Sequence, residues 1–232
     1  MAEIKKGTEH SRIENVGEAL TKAELFIEKN QKILTYIIIV VAALVLGFWY
    51  YRTQYLAPKN IEAHTQMYVA EQYFQKDSFN LALNGDGNNW GFLKIIDEYG
   101  MTKAGNLAHY YAGISYYKLG RFNRAIEELE KFKGNDKFIA PEALGTIGDS
   151  YWAIGNKDKA LKYFLNAAKK NANEFTSPIY LMKAGILCEA KGDFKQALKI
   201  YQEIQDKYPQ TNEGHESEKY ITRMQILLTN KN

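Results

Sequence analysis

Three stretches of this 232-residue chain superimpose without a gap, and that internal repetition restricts the fold more than any other feature. They are GISYYKLGRFNRAIEEL from Gly113, GDSYWAIGNKDKALKYF from Gly148 and GILCEAKGDFKQALKIY from Gly185. Each carries a glycine, a Tyr or Cys three residues on, a second glycine four later and an alanine five after that. The alanines, Ala125, Ala160 and Ala197, are 35 and 37 residues apart. Apolar residues recur at helical spacing on both sides of the second glycine, so each repeat reads as two helices joined by a tight turn. A unit of that size cannot bury its apolar face alone and must stack on its neighbours.

The small residues have separate roles. Gly113, Gly148 and Gly185 fall mid-helix, where glycine costs about 1 kcal/mol relative to alanine. The same cost at one register implies a neighbouring helix too close for a side chain. Gly120, Gly155 and Gly192 fall at the turn, where a positive φ is wanted. Ala125, Ala160 and Ala197 hold the second helix against the first. Tyr116, Tyr151 and Cys188, with Leu129, Phe164 and Tyr201, are expected to fill the space between them. Tyr208 and Pro209 close the third unit, and the first two units lack that proline.

This pattern resembles the tetratricopeptide-repeat (TPR) family, whose unit is about 34 residues. The expected fold is therefore all-α, a helical-hairpin solenoid with units over about 106–138, 141–173 and 178–211. A degenerate first unit is expected over about 60–100. Residues 61–75 form one helix there, Phe92, Leu93, Ile96 and Tyr99 mark a second apolar face, and SFNLALNGDGNNWG is an insertion in the turn between them. A helix over 213–229 is expected to cap the last apolar face.

Residues 33–51, ILTYIIIVVAALVLGFWYY, carry no charge and are bracketed by Lys32 and Arg52. As a helix they would be about 28 Å long, close to the thickness of a bilayer core. Phe48, Trp49, Tyr50 and Tyr51 cluster at one end, as aromatic rings do at the headgroup level. A cleaved signal peptide fits poorly, because 32 residues precede the run and no A-x-A site follows it. The stretch is expected to be a single uncleaved transmembrane anchor. Lys22, Lys29 and Lys32 precede it, against Arg52 and Lys59 after it, so the positive-inside rule favours a cytoplasmic N-terminus over 1–32. Residues 52–232 then lie on the other side. Ahead of the span, Ser11-x-x-Glu14 matches a capping box, and Ile13, Val16, Leu20, Ala23 and Ile27 share a helical face. A short amphipathic helix is expected there.

Composition and motifs argue against an enzyme. Hydrophobic residues make up 46% of the chain, which excludes wholesale disorder, and four prolines leave helices uninterrupted. Net charge is only +3 with the charges interleaved, so no basic stripe suits nucleic acid. Cys188 is the single cysteine, so no internal disulfide forms. The stretch from Asn84 through Asp86 to Asn88 imitates the start of an EF-hand loop. Asn89 stands where glycine is required and Ile95 where a bidentate glutamate is required, so a Gly/Asn turn is expected instead of a calcium site. His10, His64, His109 and His215 are scattered, and no phosphate loop or nucleophile elbow occurs. Glu127 and Glu128, beside Lys131, read as a solvated charged face. No catalytic residue, metal, cofactor or small-molecule substrate is expected.

What remains is a protein-binding surface. In the TPR family the first helix of each unit lines a concave groove. Carried over on the glycine register, that groove comprises Tyr110, Ile114, Tyr117 and Lys118, then Asp149 and Trp152, then Met182, Lys183, Ile186 and Glu189. Aromatic and methionine side chains suit an extended or helical apolar peptide. Carboxylate-tail recognition is not expected, because Tyr110 and Ile114 stand at clamp positions and only Lys183 fits them.

The order of a short soluble N-terminus, one span, a divergent unit and three TPRs resembles the YfgM-like ancillary subunits of the bacterial SecYEG translocon. ALNGDGNNWGFL, IIDEYG and KAGNLAHYYAG are similar to the Bacteroidetes-type members of that group. The resemblance implies an inner-membrane protein with a periplasmic TPR domain that associates with the SecYEG translocon and a periplasmic chaperone. The alternative is a membrane-tethered scaffold for cell-envelope assembly or cell division.

Overall fold

The computed structural model describes the backbone of residues 3–230 and the side chains of residues 24–230. The chain divides into two compact units, Met1–Leu56 and Ala57–Asn232.

In the first unit, α1 (Glu3–Tyr50) is followed by a π-helical turn, Tyr51–Leu56, in which the Tyr51 and Tyr55 rings stack at 5.3 Å. All of the apolar stretch but Tyr51 lies inside α1, and none of it is buried within this unit. Burying a large aliphatic or aromatic side chain is worth about 1.5–3 kcal/mol, and a run of this length and composition suits a membrane span. Ser11 sits inside α1 and not at a helix start, so the capping-box expectation is corrected: the backbone is already helical eight residues earlier. The face formed by Ile13, Val16, Leu20 and Ala23 lies outside the residues with described side chains, and Ile27 is exposed.

The second unit is a stack of antiparallel helix pairs: α2 (Ala57–Gln75), α3 (Phe79–Asn84), α4 (Phe92–Tyr99), α5 (Lys103–Lys118), α6 (Phe122–Lys131), α7 (Ile139–Ala153), α8 (Lys157–Lys169), α9 (Ser177–Ala190), α10 (Phe194–Lys207) and α11 (Asn212–Thr229). The turn within each pair repeats down to its hydrogen bonds. Arg121 N donates to Tyr116 O at 2.8 Å, Asn156 N to Tyr151 O at 2.8 Å and Asp193 N to Cys188 O at 3.0 Å. Gly120, Gly155 and Gly192 take φ of 72°, 82° and 76° to make this possible, a left-handed conformation that side chains disfavour. A Cβ built on Gly113 would stand 2.4 Å from Leu129 Cγ, one on Gly148 2.7 Å from the Phe164 ring and one on Gly185 2.4 Å from the Tyr201 ring. The helix pairs touch at these glycines, across Leu129, Phe164 and Tyr201, all three buried.

The first repeat departs from expectation. Its turn is of ordinary length, and the insertion lies within its second helix. Ala70, Tyr73, Asp77, Phe79 and Ala82 stand at the register of Gly113, Tyr116, Gly120, Phe122 and Ala125. Asp77 takes a φ of 55°, and Ser78 N donates to Tyr73 O at 2.9 Å, the same turn bond as in the other units. The chain then leaves the helix at Gly85 and re-enters at Phe92, splitting one expected helix into α3 and α4. Phe92 re-anchors it by stacking on Tyr111 at 5.1 Å, and Phe74 packs edge-on against both rings.

Asp86 organises the inserted turn. Its Oδ1 accepts from Asn88 N at 2.8 Å and Asn89 N at 2.7 Å, while Oδ2 accepts from Tyr73 Oη at 2.7 Å and Asn89 Nδ2 at 2.9 Å. The hydrogen bond from Tyr73, then those from Asn89 and Asn88, hold the carboxyl well below its usual range. With both oxygens committed to donors, the EF-hand likeness of this segment is a turn device. Asp86→Ala is expected to speed hydrogen exchange of residues 85–91 by ~10-fold or more while leaving α7 to α10 unchanged, because local openings are governed by local bonds. Equal protection in both proteins would show that the carboxylate is not the organiser.

Glu128 is the most enclosed acid of α6. Its Oε2 lies 2.7 Å from His109 Nδ1 on α5, and its Oε1 accepts from Lys131 Nζ at 2.9 Å. Burial pushes this carboxyl up, but His109 and Lys131 outweigh it and hold it below its ordinary 4.5. A depressed folded value means that the stabilisation is complete above about pH 4.5 and is lost as pH falls through the lower folded value. The melting temperature should therefore drop on acidification in that window, and Glu128→Gln should flatten the slope; an unaltered slope would remove Glu128 from the account.

Candidate protein-binding surface

The first helices of successive units, α5, α7 and α9, and the capping helix α11 are tied to one another by side chains. Tyr110 Oη on α5 donates to Glu142 Oε2 on α7 at 2.8 Å. Lys183 Nζ on α9 donates to both oxygens of Asp149 on α7, at 2.9 and 2.6 Å. Arg223 on α11 pairs with Glu189 on α9, which also accepts from Tyr201 Oη. Sequence separations of 32 to 34 residues mark these as bonds between neighbouring units.

This ladder corrects several of the residues expected to line a groove. Tyr110, Ile114 and Met182 are 7%, 5% and 8% exposed and belong to the core, so they cannot present a face to a ligand. Burial first, and then the charge of Glu142, pushes the Tyr110 hydroxyl well above its usual range, leaving it a neutral donor. Glu189 is committed to Arg223 and Tyr201 and closes the capping helix onto the stack. Lys183, the one residue that fits a carboxylate clamp, is engaged by Asp149 and lies 5.7 and 5.8 Å from the Phe164 and Tyr180 rings.

The others are distributed over three successive first helices. Tyr117 on α5 is half-buried, and burial followed by the charge of Asp149 raises its hydroxyl pKa, which places it in the field of the next unit. Trp152 on α7 is half-buried and edge-on to Phe164 at 6.1 Å. Ile186 on α9 is exposed, as is Lys118 at the end of α5. The Asp149–Lys183 pair joins two of these helices. Its side chains are 20% and 35% exposed, so the pair is only partly covered.

Two residues of the first helices carry roles that sequence reading alone does not assign. Ile179, exposed on α9, stands a turn and a half before the glycine that sets it. Gly145 stands at the register of Tyr110 and Met182, three residues before its own unit's helix-contact glycine. A Cβ there would stand 2.0 Å from the Tyr180 ring, so the glycine lets Tyr180 of the next unit lean onto α7. The signal available in the sequence is the pairing of a second glycine in one unit with a tyrosine in the next. The thiol of Cys188 is fully buried, and burial pushes it up to about 11, which leaves it a packing group. Among the described residues no group of three His, Cys, Asp or Glu side chains converges to hold a metal.

Comparison with known proteins agrees with this geometry. Two family models, each described as tetratricopeptide repeat, match residues 146–211 and 107–136. Among solved structures, the TPR-like repeats of a putative kinesin light chain from Podosopora anserina superimpose with a TM-score of 0.53 at 12% identity, covering 70% of this chain and 85% of that one. A variant form of the same protein gives the same score and identity over 84% of its length. At that identity the likeness speaks to fold alone. No curated protein sequence matches the chain.

The chain carries tetratricopeptide repeats over residues 107–136 and 146–211; its described residues form a helical, TPR-like repeat fold with a long apolar N-terminal helix whose length and composition suit a membrane span. Its repeat domain is a protein–protein interaction module.

Proposed function

We propose that this protein is a single-span accessory subunit of the bacterial Sec translocon, with residues 1–32 in the cytoplasm, 33–51 in the inner membrane and 52–232 as a periplasmic TPR domain that recruits a periplasmic chaperone. The observation that supports a binding role is the placement of Tyr117, Trp152 and Ile186 on three successive first helices, two of them joined by the Asp149–Lys183 pair. Aromatic side chains beside an ion pair fit a short apolar peptide carrying one charge, since bulky rings supply most of the contact energy and the charge fixes register. The translocon assignment is supported by the resemblance of the insertion and its flanking segments to that group of subunits.

A photo-crosslinking residue at Ile186 in the full-length membrane protein tests both. Crosslinks to translocon subunits and a periplasmic chaperone are the expected result. Crosslinks confined to envelope-assembly or division proteins would replace the translocon with the scaffold role and keep the surface. No crosslink at Ile186, with partners recovered from a site elsewhere on the domain, would overturn the binding role of these residues.

A further inference from the structure

The connections between units carry a surface that this binding role does not use. The α6–α7 connection, residues 132–138, and the α8–α9 connection, residues 170–176, are stitched together by asparagine side chains. Asn171 Nδ2 donates to Asp136 O at 2.7 Å, Asn173 Nδ2 to Lys137 O at 3.1 Å and Lys170 Nζ to Asn135 Oδ1 at 3.1 Å. Asn106 anchors the first connection from behind, accepting from Lys133 N at 2.8 Å and donating to Lys133 O at 3.1 Å. Side-chain bonds of this kind tie the two connections to each other and to α5, so what they display is held in place.

They display phenylalanines. Phe138 and Phe175 are 54% and 71% exposed, and their rings meet edge to face at 6.0 Å. Lys133 and Lys137 lie within five residues of Phe138 in the chain and Lys169 and Lys170 within six of Phe175, against two carboxylates in these connections, Asp136 and Glu174. Asp136 is spent on the N-terminus of α7, where it accepts from Phe138 N at 2.8 Å and Ala140 N at 3.2 Å. A pair of exposed rings on two tied connections that carry a net excess of lysine has the chemistry of an interfacial membrane contact, in which rings enter the headgroup layer and lysines meet anionic phosphates. A protein partner would need acidic and apolar groups matched to both connections, whereas a charged bilayer offers them everywhere.

We propose that this edge of the repeat domain docks on an anionic lipid surface through Phe138 and Phe175, with the surrounding lysines selecting the charge. The inference rests on residues 33–51 being a span, because a tether keeps the domain within reach of a bilayer and makes weak docking effective.

The test is the full-length chain in nanodiscs of phosphatidylcholine alone, or of equal parts phosphatidylcholine and phosphatidylglycerol, with brominated acyl chains. Phe175→Trp supplies a reporter read as the emission added over the parent protein, and native Trp49 in the apolar stretch reports insertion of the span. The expected result is loss of the added emission in phosphatidylglycerol discs and its retention in phosphatidylcholine discs. Changing Lys133, Lys137 or Lys169 to Gln should weaken docking about fivefold each. Added emission that survives in both discs while Trp49 is quenched would overturn the docking and leave the span standing. Equal quenching in both discs would overturn the charge selection and with it the proposal. An unquenched Trp49 would mark failure of the span itself, and with it of the docking that rests on the tether.

Discussion

Gly148→Leu is expected to lower the melting temperature of the repeat domain by roughly 10 °C, because overpacking a well-filled core costs about 1–3 kcal/mol or more and each kcal/mol moves a domain of this size by about 2–4 °C. A Cβ alone would already press to 2.7 Å on the Phe164 ring. That ring cannot retreat, since Phe164 is fully buried and Trp152 lies against it. The Ala160 carbonyl, 3.4 Å from the same Cβ, closes the remaining direction. Circular dichroism melts of the detergent-solubilised full chain would read the effect, with Lys118→Leu as an exposed control expected to melt with the parent. A melting curve unchanged by Gly148→Leu would disprove the contact on which the repeat assignment rests.

The second large effect concerns binding. Replacing Tyr117 and Trp152 together with alanine is expected to weaken partner capture on the order of 10³-fold, since aromatic anchors are worth ~2 kcal/mol each in interfaces of this kind. Helicity should survive, because both side chains are only half-buried and stand at the edge of the core. Capture would be measured with the partner recovered by crosslinking to the parent protein. Retained capture by a folded double variant would move the binding surface away from these first helices.

Much of this architecture is readable because TPR packing is enforced by small residues, which leave a strong periodic mark. The glycines at 113, 148 and 185 mark helix contacts, and those at 120, 155 and 192 mark turns. The first unit hides for the converse reason. Alanine at position 70 and aspartate at 77 do the work of both glycines, and aspartate tolerates the left-handed turn well enough to stand there. The sequence DSFNLAL nonetheless matches GRFNRAI position for position, a signal that places the insertion after the turn. The binding face is less legible. Register tells which helix face a residue occupies, but not how far the neighbouring unit covers it. Tyr110 and Met182 hold groove positions by register, yet packing by the adjacent units encloses both. Glu189 reads as a ligand contact in the sequence because its partner, Arg223, lies in a helix outside the repeats.

The repeated turn has a kinetic consequence. Its closing hydrogen bonds span five residues, and the helices of the domain pack on near neighbours along the chain, so folding requires little closure of long loops. Chains with such local wiring fold quickly, and those synthesised from the N-terminus can build unit upon unit. The pair α5–α6 can form on a template already laid down by α2 and α4, and α11 seals the stack last. A domain wired this way acquires its surface progressively, so segments emerging behind it never need to be complete before the first units are ordered.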